Sequence, residues 1–392
     1  MRTPELKLRI PQRLAALTPY QPGKPIEEVE REMGLADTVK LASNENPLGP
    51  SPKALEAARK ALLSAHRYPD GSGYYLRHAL SAKLGVPPRR IVLGNGSTEL
   101  VELIARTFLG EDGEAVISEG AFVMYGIAVQ AAGGEARFVP QAPGYRHDAA
   151  AMAAAVGSKT RLMFFANPNN PTGTYIRDHE MAHVLQRVPQ EVLVIVDEAY
   201  HEYVSVPDYP VNIPRLERHP NLILLRTFSK VHGLAGLRIG YALVGSDEIA
   251  ETLERVRSPF NTSSIAQAAA IAALNDDEHI LRSSSTNLTE MKFLEKGLAS
   301  MGVSFVSSVA NFVLVLLGPR AEEISRAMLG QGVIVRAMRF FGFPEAVRIT
   351  VGTRSENERC LSALARSLRQ AGGPGESGRG AAEVDEVDEK QA

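Results

Sequence analysis

The alternation of short apolar runs with helical patterns constrains the fold of this chain most. The runs span residues 91–94, 115–118, 137–140, 162–165, 192–196, 222–225 and 239–244. Each is too short and too continuously apolar for an amphipathic helix, which is typical of strands covered on both faces. The segments between them, such as Glu99 to Leu109, carry helical spacing. Strands that alternate with helices predict an α/β fold with a mostly parallel sheet.

The pattern changes after about residue 280. One long helical segment precedes strand candidates at 312–316, 333–335 and 347–351, and a last helix is predicted from Ser355, where Ser355 and Glu358 match a capping box. We therefore expect a large domain over 46–280 and a smaller α+β domain over 281–371. The Pro-rich segment 1–45 is expected to pack on the lobes, and the acidic tail 372–392 is predicted to be disordered.

Charge and cysteine content exclude several classes of protein. Lys and Arg number 43 against 45 Asp and Glu, a net charge of −2, so the total charge does not favour nucleic acid or an anionic membrane as a partner. The single cysteine, Cys360, cannot form an internal disulfide. No stretch approaches the ~20 apolar residues of a membrane span, and the N-terminus lacks a signal-peptide pattern. We expect a soluble, cytoplasmic protein.

Polar residues follow two of the predicted strands. Asp197 ends the run 192–196, at the edge where open α/β sheets bind ligands, and a carboxylate there is costly unless a cation pairs with it. GNGSTE at 94–99 connects a strand to a helix start, the geometry that presents N–H groups to an anion. A helix cap or structural ion pair explains Asp197 equally well, and a tight turn explains 94–99 equally well.

Two further segments follow strands at the same predicted edge. NPNNPTG at 167–173 offers the amides of Asn169 and Asn170, and TFSKVHGLAGLRIGY at 227–241 carries Lys230 and Arg238. Each alone is typical of a turn or a solvated loop. Because the carboxyl ends of parallel strands meet at one edge, the coincidence of these groups favours a ligand with a phosphate, a cationic part and a carbonyl.

HEMAH at 179–183 matches the pattern in which two His on one helical face bind zinc and the Glu acts as base. The motif is short, and no third His follows at the longer metzincin spacing. Acids precede basic groups along the surrounding segment, as is typical of an exposed helix. We therefore favour a solvated helix face and expect no metal.

These segments resemble the pyridoxal-phosphate-dependent aminotransferases of fold type I, and among them the histidinol-phosphate aminotransferase family most closely. The likeness runs from LTPYQPGKP (17–25) and LASNENPLGPSP (41–52) through RYPDGSGYYLRHAL, LGNGSTELVE, NPNNPTG, VDEAY, RTFSKVHGLAGLRIGY and PFNTSSIAQAAA to VRITVGTRSENER (347–359). It covers nearly the whole chain apart from the first ten or so residues and the acidic tail. The resemblance implies a large domain with a mostly parallel sheet flanked by helices and a smaller α+β domain.

The resemblance also implies a cofactor site for pyridoxal 5'-phosphate. Lys230 would bind the cofactor covalently and then move a proton between Cα and C4′, and Asp197 would pair with the pyridinium nitrogen. Tyr200 and Asn170 would hydrogen-bond the 3-oxygen, and Phe122, where the family often has Tyr, would stack on the ring. The phosphate would be held by the following residues: Gly96, Ser97, Thr98, Ser229 and Arg238.

For the substrate, the resemblance implies an anion grip made by Arg348, Arg336, Tyr20 and Asn44, since guanidinium groups pair with phosphate or carboxylate alike. The implied reaction converts histidinol phosphate and 2-oxoglutarate to imidazole acetol phosphate and glutamate, in histidine biosynthesis. Tyr68 would reach the phosphate of the neighbouring subunit, which implies a homodimer with shared active sites.

Three alternatives stay open at this point. An aromatic aminotransferase or a phosphothreonine decarboxylase-like enzyme would share the fold and the ring chemistry. A non-catalytic ligand sensor would need a DNA-binding module, for which the roughly ten residues before the similar region leave no room. A zinc peptidase is the weakest, and a yellow, metal-free protein would exclude it.

Overall fold

A computed structural model describes residues 9–110 and 112–370. Its large sheet has seven strands in the order β2-β8-β7-β6-β5-β3-β4. The five strands β4, β3, β5, β6 and β7 run parallel, and β8 pairs antiparallel with both β7 and β2. The strands are β2 (Ile91–Gly94), β3 (Glu114–Ser118), β4 (Glu135–Val139), β5 (Thr160–Ala166), β6 (Leu193–Asp197), β7 (Leu222–Thr227) and β8 (Gly240–Val244). The seven strands predicted from the apolar runs are thus confirmed.

Alternate residues of each strand point to opposite sides of the large sheet, so its apolar strands present two apolar faces. Helices cover both faces. Val116 belongs to one hydrophobic cluster, and its neighbours Ala115 and Ile117 belong to another. The helices are α1 (Gln12–Ala15), α2 (Ile26–Met33), α3 (Pro52–Leu62), α4 (Tyr74–Leu84), α5 (Gly96–Phe108), α6 (Met124–Ala132), α7 (Ala149–Ala154), α8 (Asp178–Arg187), α9 (Asp247–Val256), α10 (Ser264–Leu274), α11 (Asp277–Ser300), α12 (Ala321–Leu329) and α13 (Arg354–Gln370). No helix in these described ranges is both long and apolar enough to cross a bilayer.

One strand prediction is wrong in its burial. The run 137–140 was expected to be covered on both faces, yet β4 lies at the edge of the sheet, with the side chain of Phe138 54% exposed. The opposite edge strand, β2, is buried because α4, α5 and α9 pack on it, whereas α6 is the helix that packs on β4 in the described part of the chain.

The second sheet has five strands in the order β1-β11-β12-β10-β9. They are β1 (Val39–Leu41), β9 (Ser304–Val306), β10 (Phe312–Leu316), β11 (Val333–Ala337) and β12 (Ala346–Thr350). The sequence predicted β10, β11 and β12, and it missed the two three-residue edge strands. β1 comes from the N-terminal segment and pairs parallel with β11, whereas the carbonyl of Arg13 accepts a hydrogen bond from Gln130 on α6 of the large lobe.

The predicted divisions at residues 45, 280 and 371 stay predictions, and the tail 372–392 lies outside the described residues. The start of α13 corrects another expectation. Thr353, rather than Ser355, precedes the helix, and its N–H donates to the Glu356 carboxylate at 2.7 Å. The Thr353 Oγ1 in turn accepts from the N–H of Glu356. The capping box is therefore Thr353 with Glu356, two residues earlier than predicted.

Candidate active site

A cavity of about 240 Å³ opens where the carboxyl ends of β5, β6 and β7 meet the small sheet. Most of the side chains proposed from the sequence line it together, although they come from segments far apart along the chain. They are Tyr20, Asn44, Ser97, Thr98, Phe122, Asn170, Asp197, Tyr200, Ser229, Lys230, Arg238, Arg336 and Arg348. The two sheets therefore bring one set of polar groups to a shared concave site.

Two of the proposed residues do not line this cavity. Gly96 is the first residue of α5 and has a φ of 79°, and a Cβ there would lie 2.3 Å from Nη2 of Arg238. Gly96 therefore lets the arginine approach the helix start. Tyr68 is 83% exposed, and its ring stacks on Phe260 with a centroid distance of 4.7 Å. Within one chain, Tyr68 is a surface residue.

Asp197 ends β6 and is 6% exposed. Its Oδ2 accepts a hydrogen bond from the Tyr125 hydroxyl at 3.0 Å, and its Oδ1 accepts one from the Ala199 N–H at 3.2 Å. Burial raises the pKa of Asp197 to about 6, although both hydrogen bonds act in the opposite direction. Among the described residues, no Lys, Arg or His forms an ion pair with this carboxylate.

Lys230 lies in the irregular segment that follows β7. Its Nζ donates to the Ser43 carbonyl at 3.3 Å and lies 5.5 Å from the centroid of the Tyr200 ring. Burial, helped by the positive charge of Arg348, lowers the pKa of Lys230 to about 8. An amine with this pKa is partly unprotonated near neutral pH, so it can act as a nucleophile or base.

The start of α5 forms the second polar region of the cavity. Asn95, which precedes the helix, makes no side-chain cap, so the first backbone N–H groups have no capping side chain. Arg238 Nη1 donates to Ser229 Oγ at 3.4 Å and to the Ala235 carbonyl at 3.1 Å. A helix start, a hydroxyl and a guanidinium together favour a bound anion.

Arg348 projects from β12 into the opposite wall and is 5% exposed. Its Nη1 donates to the Asn170 side-chain oxygen, and its Nη2 donates to the Ala42 carbonyl at 2.8 Å. Its buried Nε has no hydrogen-bond partner among residues 9–110 and 112–370. Burial lowers the pKa of Arg348, and no carboxylate in the described part of the chain pairs with it.

Arg336 and Tyr20 lie beside Arg348. The Arg336 guanidinium donates to the Gln21 carbonyl and lies 5.0 Å from the Phe341 ring and 5.9 Å from the Tyr20 ring. Arg336 and Arg348 face each other across the register of β11 and β12. Two guanidinium groups thus come together in one wall of the cavity.

Asn44 and Tyr200 connect the two lobes inside the cavity. The Asn44 side chain donates to the Tyr200 hydroxyl at 2.9 Å, and its backbone N–H donates to Thr350 Oγ1 on β12. Burial raises the pKa of Tyr200 to about 12. The phenol therefore keeps its proton at neutral pH and can donate a hydrogen bond to a ligand.

Four polar residues of the cavity are absent from the sequence-based predictions: Ser43, Glu45, Tyr125 and Thr227. The Thr227 hydroxyl accepts from the N–H of Ser229 and donates to its side chain. Glu45 pairs with Lys40 at 3.0 Å. Glu45 follows Asn44 in the sequence, and Thr227 lies two residues before Ser229. Their proximity to proposed residues could have identified both as residues of the site. Tyr125 gives no such signal, because only the fold brings α6 against the end of β6.

The zinc-peptidase alternative depends on the HEMAH motif at 179–183, which lies in α8. Glu180 accepts hydrogen bonds from the Arg146 side chain and the Arg177 N–H. His179 and His183 are exposed. The carboxylate that would act as the base thus already serves an ion pair and the helix start.

The cavity suits pyridoxal phosphate by the chemistry of its donors and acceptors. The cofactor offers an aldehyde, a ring nitrogen that binds a proton and a phosphate. Lys230 offers an amine of lowered pKa, Asp197 a buried carboxylate without a cationic partner, and the α5 start with Arg238 a set of anion donors. Each polar part of the cofactor thus has a matching group.

Comparison with known proteins agrees with this site. A model of the family "Aminotransferase class I and II" matches residues 36–364. The histidinol-phosphate aminotransferase of Anaeromyxobacter sp. is 49% identical over 360 residues, 92% of this chain and 99% of that protein. That of Moorella thermoacetica is 45% identical and covers 91% and 92% of the two chains.

A crystal structure of histidinol-phosphate aminotransferase from Sinorhizobium meliloti, in complex with pyridoxal-5'-phosphate, is similar in fold. The two share a TM-score of 0.84 and 30% identity, over 93% of this chain and 99% of that one. The family match, the identity to curated enzymes and the shared fold agree. The chain therefore belongs to the class I and II aminotransferases and, within them, to the histidinol-phosphate aminotransferase family.

Proposed function

We propose that this chain transfers an amino group from histidinol phosphate to 2-oxoglutarate, giving imidazole acetol phosphate and glutamate in histidine biosynthesis. Its cofactor is pyridoxal phosphate. The observation that carries the proposal is the meeting of Lys230, Asp197 and Arg348 in one cavity. The chain that holds them is 49% identical to a histidinol-phosphate aminotransferase.

When bound, pyridoxal phosphate supplies an aldehyde that captures the amino group and a ring that accepts electrons released from the substrate. Asp197 would hold a proton on the ring nitrogen, and the charged ring would supply the positive partner that this buried carboxylate lacks among the described residues. Tyr200 and Asn170, which line the cavity, would hydrogen-bond the 3-oxygen, and Phe122 would pack on the ring.

The cofactor phosphate is assigned to the start of α5. The N–H groups of Gly96, Ser97 and Thr98 lie there without a capping side chain, and Arg238 with Ser229 completes the set of donors. An anion at a helix N-terminus also interacts favourably with the helix dipole. The proposed phosphate donors are therefore backbone N–H groups without a capping side chain, the Ser229 hydroxyl and the Arg238 guanidinium.

Lys230 is the catalytic base. A pKa of about 8 leaves part of the Nζ population unprotonated at neutral pH, so Nζ can take the proton from the Cα of the substrate. Its contact with the Ser43 carbonyl holds the side chain inside the cavity.

Arg348 and Arg336, with Tyr20 and Asn44, bind the anionic end of each substrate. Histidinol phosphate presents a phosphate and glutamate a carboxylate, and a guanidinium pairs with both. The unpartnered Nε of Arg348 supports this role, because a buried donor without an acceptor in the protein can serve a ligand. One site therefore serves both half-reactions.

We infer that the chain forms a homodimer in which Tyr68 contributes to the active site of the partner. Tyr68 and Phe260 form an exposed stacked pair. Other large side chains of the same stretches are also exposed, namely Leu62, Leu63, Tyr74 and Tyr75. Exposed apolar groups at this density are typical of an interface.

The test of the reaction is direct. Purified protein is incubated with histidinol phosphate and 2-oxoglutarate, and glutamate is measured, with phenylalanine and aspartate as competing amino donors. We expect the highest kcat/KM with histidinol phosphate. A higher kcat/KM with phenylalanine would favour an aromatic aminotransferase, and release of CO₂ from phosphothreonine would favour a decarboxylase.

The shared site is tested by mixing two inactive variants, Tyr68→Ala and Lys230→Ala. Subunit exchange creates mixed dimers in which one of the two sites has both native residues, so activity is expected to recover in part. Equal activity before and after confirmed exchange would remove Tyr68 from the partner's site.

A further inference from the structure

The hydroxyl of Tyr125 points at the carboxylate of Asp197. Its oxygen lies 3.0 Å from Oδ2, and Tyr125 is fully buried near the start of α6. Its ring stacks on Phe164 of β5 with a centroid distance of 5.0 Å and an interplanar angle of 9°. The ring of Phe122 meets it edge to face at 5.7 Å. Packing from both neighbours fixes the direction of the hydroxyl.

We propose that Tyr125 is a positioning residue, whose hydroxyl orients the Asp197 carboxylate toward the ring nitrogen of the cofactor. The proposal rests on the role given to Asp197 above. Tyr125 does not itself touch the reacting atoms in this assignment. It acts through Asp197.

The two oxygens of Asp197 each have one donor within the protein. Tyr125 serves Oδ2 and the Ala199 N–H serves Oδ1, so the plane of the carboxylate is set from both sides. A carboxylate held by one donor could rotate about its Cβ–Cγ bond. Two donors, one on each oxygen, restrict that rotation while Asp197 lines the cavity.

The hydroxyl also keeps the carboxylate in its charged form. Burial raises the pKa of Asp197, and the hydrogen bond from Tyr125 is the largest of the effects that lower it. Burial raises the pKa of Tyr125 well above its usual value, so the phenol remains a donor. Phe122, the other aromatic residue in the EGAFVMYG segment that lines the cavity, has no hydroxyl. Tyr125 is therefore the aromatic side chain of that segment able to donate.

The experiment compares Tyr125→Phe with the unmodified full-length chain, both freed of cofactor. The dissociation constant is measured for pyridoxal phosphate and for its analogue with a carbon in place of the ring nitrogen. The analogue keeps the aldehyde and the phosphate but cannot pair with Asp197. Tyr241→Phe is the matched control, because Tyr241 is a buried tyrosine of β8 that does not line the cavity.

We expect Tyr125→Phe to weaken pyridoxal phosphate binding roughly 10- to 100-fold, because this is the factor expected when one hydrogen bond to a charged group is lost. Binding of the carbon analogue should change less than threefold. Tyr241→Phe should change neither constant. Thermal unfolding of each cofactor-free variant checks that it is folded. An equal loss for both ligands, or no loss for either, would overturn the positioning role.

Asp197→Asn separates this inference from the proposed function. If Asp197→Asn weakens the binding of pyridoxal phosphate more than the binding of the analogue, the role of Asp197 stands. If Tyr125→Phe does not show the same difference, the role of Tyr125 is wrong. If Asp197→Asn weakens both ligands equally, the assignment of Asp197 to the ring nitrogen is itself wrong.

Discussion

Arg226 and Arg348 are both buried, yet the charges around them differ. Arg226 lies in β7, where its Nε and Nη2 contact Glu198 Oε2 at 2.9 and 2.8 Å. The other oxygen of Glu198 accepts from the Asn212 side chain at 2.9 Å. Arg348 lies in β12, where Asn170 and the Ala42 carbonyl are its acceptors and Nε has none.

The difference separates a structural cation from a binding one. A buried charge is costly unless a counterion and hydrogen bonds offset its desolvation, and Glu198 supplies both to Arg226. Burial lowers the pKa of Arg226, but Glu198, Tyr241 and Glu202 together outweigh burial, and the net shift is upward. For Arg348 the net shift is downward. The uncompensated guanidinium lines the cavity, where an anionic ligand can supply the missing charge.

The largest expected effect is on stability, in Glu198→Gln. The amide keeps the shape of the side chain but leaves Arg226 buried without a counterion, so the free energy of unfolding should fall by about 3–5 kcal/mol. Urea unfolding of the holoenzyme at pH 7 measures it. Glu323→Gln, which breaks an exposed pair with Arg320, is the control and should be close to neutral. A loss no larger than the control's would show that Arg226 does not need Glu198.

Arg348→Lys should affect activity instead of stability. Lysine keeps the charge but loses the planar two-point contact, and hydrogen bonds to charged groups are worth about 1.5–3 kcal/mol each. We expect kcat/KM to fall roughly tenfold to a few hundredfold for histidinol phosphate and for glutamate alike. Single-turnover measurements with each substrate separate the half-reactions.

Two outcomes would contradict this expectation for Arg348. An effect confined to glutamate would place phosphate recognition elsewhere, with Arg336 the next candidate. A fall in the free energy of unfolding as large as that of Glu198→Gln, with kcat/KM of the folded fraction unchanged, would make Arg348 a structural cation as well.

The smallest effect is a shift in the pH dependence of Lys230. Its pKa of about 8 means that the ammonium form dominates at lower pH and has no lone pair. The rate at which cofactor-free protein binds pyridoxal phosphate covalently should therefore rise with pH, reach half its maximum near pH 8 and level off at higher pH. Stopped-flow absorbance measures this rate.

Arg348→Met removes a positive charge that lowers the pKa of Lys230, so the midpoint of that profile should move to higher pH. Arg336→Met is the matched control, because Arg336 lines the same cavity but is not among the groups that shift Lys230. Equal midpoints in the two variants would show that the charge of Arg348 does not reach Lys230.

Much of the fold could be predicted from the apolar runs, because a strand buried in a parallel sheet has a near-continuous apolar sequence. The three-residue strands β1 and β9 were missed, since such short segments carry too little periodicity. The predicted burial of β4 was wrong because the helices that pack on an edge strand, not its composition, decide how much of it is covered: β2, at the opposite edge, is buried.

The candidate site could be predicted in part for a similar reason. Asp197 ends a strand of the parallel sheet, and Asn170 and Lys230 each follow one, so their convergence follows from strand direction. Tyr125 could not be found in this way. It lies inside a helix, and its contact with Asp197 depends on how α6 packs against the sheet.

The sequence by itself determined which residue types follow each strand, because local apolar patterning sets the elements and their directions. Only the tertiary structure decided that Glu198 neutralises Arg226 while no counterion meets Arg348 in the part of the chain that the structure describes. The physical reason is that the cost of burying a charge depends on every group within a few ångströms, and for Arg348 those groups come from residues 42, 170 and 312, far apart along the chain.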